Sequence, residues 1–133
     1  MIKASTLSRF AAVSLFAVCA AASAQNVSFV EPVDGATVTS PFKVKFAVSG
    51  MEVKPAGDMT PNTGHHHLLI NAAPVKAGEV VPADETHIHF GKGQTETEVK
   101  LAPGTYVLSM QFANGLHQSY GPRMSKDIKI TVK

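Results

Sequence analysis

This chain of 133 residues has one cysteine, no tryptophan, and no apolar run that reaches the roughly 18 residues a bilayer span requires. The cysteine, Cys19, falls inside an apolar stretch from Phe10 to Ala22. Lys3 and Arg9 precede that stretch and Ala22-Ser23-Ala24 closes it. A basic start, a short apolar middle and a small-x-small end read as a cleaved secretory signal over residues 1–24, which leaves Gln25 first. Val18 is bulky where a lipidation signal needs a small residue, so Cys19 is not read as a lipid anchor. The expectation is a periplasmic or secreted protein, with no membrane span after cleavage and one domain over residues 25–133.

Loss of Cys19 with the signal excludes a disulfide, so the fold rests on packing alone. It also excludes a thiolate metal site. A metal would have to be held by nitrogen, oxygen or thioether. Removing Lys3 and Arg9 reduces the 12 basic residues to ten, equal to the ten acidic ones. A neutral exported chain without a basic stripe is not a nucleic-acid binder.

What the chain does contain is short segments of period-two apolarity separated by Gly and Pro, the pattern of an all-β sandwich. Phe42, Val44, Phe46 and Val48 point one way, with Lys43 and Lys45 opposite. Thr95 to Leu101, Tyr106 to Phe112 and Asp127 to Val132 alternate likewise, and Val27 to Val30 forms a first strand. Asn114-Gly115 signals a hairpin leading into Leu116 to Tyr120. Leu101 to Tyr106 resembles the tyrosine corner of immunoglobulin-like domains, which makes Tyr106 structural. These signals predict a single immunoglobulin/fibronectin-III-like antiparallel sandwich of about seven strands, without helices.

The stretch Gly64 to Phe90 holds five of the six histidines: His65, His66, His67, His87 and His89. Histidine is the commonest metal ligand and is largely neutral near pH 7. In a strand, an H-x-H pair places two rings on one side, roughly 6.6 Å apart. Two such imidazoles can reach one ion at about 2.0–2.1 Å per nitrogen. In a sandwich, the starts of the His65 strand and of the segment holding His117 gather at the pole where the His87–His89 strand ends. His65, His67, His87 and His89 are therefore expected to meet on the outward face of one sheet. His117 should point inward toward His66 and is included as a fifth ligand, with packing or hydrogen-bonding support as its other role and that of His66. Asp84 and Glu85 are read as loop residues. Imidazole ligation suits copper first and zinc second.

Three motifs occur in order: Gly-His-His-His-Leu-Leu-Ile, His-Ile-His-Phe-Gly-Lys-Gly-Gln-Thr-Glu and Ser-Tyr-Gly-Pro-Arg-Met-Ser. Together they resemble a bacterial envelope family known as domain of unknown function 4399, across roughly Pro41 to Lys133. The resemblance implies a small exported protein and weight on the histidines, and it names no activity. The family pattern carries Asp after the Leu-Leu-Ile run and Pro in place of Arg123, where this chain has Asn71 and Arg123.

Three functions fit these residues. The first is an exported copper- or zinc-binding protein for buffering, delivery or sensing. The second is an immunoglobulin-like module that binds another envelope protein, with structural histidines and no metal. The third is a metal-dependent enzyme, for which the chain offers neither a nucleophile elbow nor a carboxylate dyad. A pH-sensing histidine cluster is a further reading.

Overall fold

The computed structural model describes residues 24–133 together with residue 17. The expected signal over residues 1–24 and Cys19 lie outside the described residues, apart from residues 17 and 24. Among the described residues, nine strands run in chain order: β1 (Asn26–Glu31), β2 (Thr37–Val38), β3 (Phe42–Ser49), β4 (Glu52–Val53), β5 (Thr63–Ile70), β6 (His87–His89), β7 (Glu96–Val99), β8 (Gly104–Ala113) and β9 (Ser125–Val132). A 3-10 turn at Pro122–Met124 is the one helical element among the described residues. One sheet has the order β1-β3-β7. The other follows β2-β9-β8-β5-β4, with β6 also pairing β5. The chain is an all-β sandwich, antiparallel except for the short β2–β9 and β4–β5 pairs.

The alternation expected of Phe42 to Val48 is realised in β3, whose Phe42, Val44 and Phe46 are buried while Lys43 and Lys45 are exposed. These side chains meet Leu68, Met110, Phe112 and Ile130 from the facing sheet, and the His66 imidazole packs among them against Phe46 and Phe112. Burying such side chains contributes roughly 1.5–3 kcal/mol each. Tyr106 donates its hydroxyl to the Ala102 carbonyl at 2.8 Å, so the corner motif forms as expected.

β5 is buried on both faces. One face packs into the sandwich. The other is covered by the connection between β5 and β6, where Val75 and Val81 form a second apolar cluster with Leu69 and Ala113. β4 and β6 divide one edge of β5 between them, at residues 63–64 and 67–69, while β8 occupies the other edge.

The hairpin expected after Asn114-Gly115 does not form a strand. Leu116 to Tyr120 makes only isolated bridges, Ala113 to Ser119 and Val80 to Gln118, and the long partner of β8 is β9. The reason is local. The Asn114 side-chain carbonyl accepts from the backbone N–H groups of Leu116 and Gln118, and His117 takes a left-handed φ of 63°. An Asx-type turn of this kind competes with extended backbone.

Candidate metal centre

Strand pairing brings the two H-x-H segments side by side. His67 lies opposite His89 across the β5–β6 pair, and Leu69 lies opposite His87. On the other edge of β5, His65 is opposite Ala113, the last residue of β8. The turn that follows β8 therefore delivers His117 to the ring of His65. His65 Nε2 is 3.1 Å from His117 Nδ1 and 3.1 Å from His89 Nε2.

His65, His67, His89 and His117 each offer one ring nitrogen, and these nitrogens all lie within 4.8 Å of one another. A tetrahedral ion with Zn–N-type bonds of about 2.0–2.1 Å needs nitrogens roughly 3.3–3.4 Å apart. The two 3.1 Å contacts are close to that spacing. The four rings come from three elements: His65 and His67 from a central strand, His89 from an edge strand and His117 from a turn. Gly91 clears space for one: a Cβ there would collide with the His89 imidazole.

Burial sets the chemistry of the inner pair. His65 and His67 are 0% and 1% exposed. Desolvation, then the neighbouring His89 and His117, pushes His65 down to about 4. Desolvation, then His65, His89 and His117, pushes His67 down to about 3, and the Gln111 backbone across the β5–β8 pair offsets only part of that. His89 is lowered as well, mainly by burial. Neutral imidazoles present lone pairs, which is the state a metal needs. The hydrogen bonding at the shared nitrogens is incomplete without an ion. His67 Nδ1 is buried with no partner. His65 Nε2 faces two other imidazole nitrogens while carrying one proton at most. The residues fit a cation at the shared nitrogens, with no thiolate or carboxylate joining the group among the described residues.

Three placements differ from the sequence expectation. His87 stands apart from the group: its Nδ1 is 2.7 Å from Asp84 Oδ1, and Thr86 Oγ1 also contacts it. His87 and Thr86 hold the Asp84 carboxyl down at about 2. His87 comes two residues before His89 on β6, opposite Leu69 rather than His67. His117 turns away from His66 and joins the others, because its left-handed turn replaces the expected strand. The face carrying His65 and His67 is covered, not outward, because the β5–β6 connection crosses it. Val75, Val80 and Val81 in that Pro- and Gly-punctuated connection were the available signal for a cover. His66 lies on the sandwich side of β5, its ring centroid 5.2 Å from Phe46 and 5.0 Å from Phe112.

A cavity of about 280 Å³ opens beside the group, bounded by His67, His89 and His117 and by Val80, Val81, Pro82 and Ala83 of the covering connection. Its wall is tied to the site, since the Val81 N–H donates to the His117 carbonyl at 2.8 Å.

Residues 44–133 match the family described as domain of unknown function (DUF4399), a span that includes all four clustered histidines. The chain belongs to the DUF4399 family. No curated protein and no solved structure matches this DUF4399 chain. The family assignment therefore supplies no activity, and the chemistry has to come from the site. Asn71 has a left-handed φ of 51° and its side-chain carbonyl accepts the Val107 N–H at 2.8 Å. Asn and Asp are the residues that tolerate that conformation and can make that bond.

Proposed function

We propose that this DUF4399 protein binds one metal ion through His65, His67, His89 and His117, with copper the preferred ion and zinc the second. In this reading, residues 1–24 direct export and are removed, and the folded chain buffers, delivers or senses the metal in the bacterial envelope. The observation that carries the reading is four imidazole nitrogens within 4.8 Å of one another, two of them on fully buried rings. An all-nitrogen set follows the affinity order in which Cu(II) exceeds the other divalent first-row ions. Four protein ligands also match a holding site more closely than the three ligands and open position usual for catalytic zinc. The residues would supply binding and geometry; a bound ion would supply positive charge and, for copper, redox capacity.

The test is calorimetric titration of the protein with Cu(II) and Zn(II), comparing wild type with His89→Ala, His117→Ala and His87→Ala. Tight binding lost in the first two variants and kept in the third supports the site. Equal, weak binding in all four proteins removes it and leaves the interaction-module reading. Export is tested separately by N-terminal sequencing of protein recovered from a bacterial envelope, which should begin at Gln25.

A further inference from the structure

We propose that the cavity against His67, His89 and His117 is a subsite that admits one small anion to the metal. This rests on the metal reading above and adds a ligand to it.

The first argument is charge. Four neutral imidazoles cancel none of the charge of a divalent ion, and no carboxylate or thiolate joins them among the described residues. Removing an uncompensated ion from water is costly, and an anion in direct contact relieves that cost. Coulomb attraction at contact distance is also far stronger beside a low-dielectric wall than in bulk water.

The second argument is access. His65 does not border the cavity, while the other three members of the group do. The group is thus closed by β5 on one side and open on the other. The opening is preformed, because the Val81 N–H bond to the His117 carbonyl and the Ser119 N–H bond to the Glu79 carbonyl, both 2.8 Å, fix the covering connection to the turn that carries His117.

The third argument is size and polarity. A volume of about 280 Å³ exceeds the roughly 30 Å³ that one water occupies in the liquid, so it holds a small anion and a few waters. The opposing wall is Val80, Val81, Pro82 and Ala83, with no lysine or arginine. Such a wall offers an anion nothing by itself. It suits a compact, weakly hydrated monoanion whose attraction comes from the metal, and it disfavours polycarboxylates or phosphates that need their own donors. Anion binding should therefore depend strictly on the ion.

The experiment titrates azide into the Cu(II)-loaded protein, with protein in excess over copper. It follows the azide-to-copper charge-transfer absorption and the copper paramagnetic resonance signal. The expected result is a saturable new band in loaded wild type and no azide response in metal-free protein. Ala83→Phe and Val80→Phe, which fill the cavity from its exposed wall, should keep copper affinity within about threefold while weakening azide at least about tenfold. Copper binding without any azide response overturns the subsite alone, as does equal azide affinity in wild type and both filled variants. Failure of the unmodified protein to bind copper overturns the metal reading and the subsite with it.

Discussion

His65 and His66 are the same amino acid one peptide apart, and their surroundings have almost nothing in common. His66 faces the sandwich between Phe46 and Phe112, with both ring nitrogens lacking a partner. His65 faces the covered side of β5, where His67, His89 and His117 surround it with ring centroids 4.7 to 5.0 Å away. Both rings are fully buried, and burial is the first cause of the drop to about 4 in each. Burial and a depressed pKa therefore do not distinguish a ligand from a core residue. The distinction comes from the pleat, which sends successive side chains to opposite faces, and from what covers each face.

The largest effect expected from this pair of faces is shared by both. Unfolded histidines take up protons below about 6.5, whereas His65 and His66 resist until about 4 and His67 until about 3. The unfolded state thus binds more protons across that window, and stability falls as pH falls through it. Each histidine withdraws about 1.4 kcal/mol per pH unit. Three acting together approach the whole stability of a domain, about 5–15 kcal/mol. Urea midpoints of chelator-treated protein should be steady above pH 7 and drop steeply from pH 6 toward 4. A flat profile would mean that these rings are solvated.

The next effect separates the faces. His67→Ala should cut metal affinity by more than about a hundredfold, beyond the 10- to 100-fold cost of losing a residue that only supports a ligand. His66→Leu should leave affinity within about threefold and raise stability by roughly 1–3 kcal/mol, because two unpartnered buried nitrogens disappear. Calorimetry and denaturant melts on the two variants check both outcomes. Similar losses of affinity in both would erase the contrast between the faces.

A smaller change probes the outer half of the site. Gly91→Ala places a methyl group where the His89 ring lies and should weaken metal binding roughly tenfold, about 1.4 kcal/mol, with the fold intact. The smallest effect expected is at His87, which bonds to Asp84 outside the group. His87→Ala should change metal affinity by less than about threefold and lower stability only slightly, since it removes one hydrogen bond to a half-exposed carboxylate.

Much of the architecture was legible where side-chain alternation is local. The β3 alternation and the Tyr106 corner follow from residues close together in sequence, and the meeting of the two H-x-H segments follows from the strand order of a sandwich. Three features were not legible, two because they depend on contacts between distant segments and one because a side chain competes locally with the strand. The valines between Ala72 and Glu85 hint at a buried segment, but nothing there says that Val75 and Val81 will fold back over Leu69 and bury His65 and His67. The Asn114-Gly115 pair encodes a turn, but whether a strand follows depended on Asn114 using its own side chain to hold Leu116 and Gln118. That choice redirected His117. His87 and His89 share a face, and only the register against β5 decides which of them meets His67.

The contact between His65 and His117 joins positions 52 residues apart. A cation gripped by both, and by His89, would act as a reversible cross-link that fastens the turn after β8 onto the middle of the larger sheet. The fold would then gain the kind of long-range fastening that secreted chains commonly obtain from paired cysteines, with the difference that a chelator can undo it. Amide exchange around residues 114–118 should slow when the ion is added and recover its speed when the ion is withdrawn.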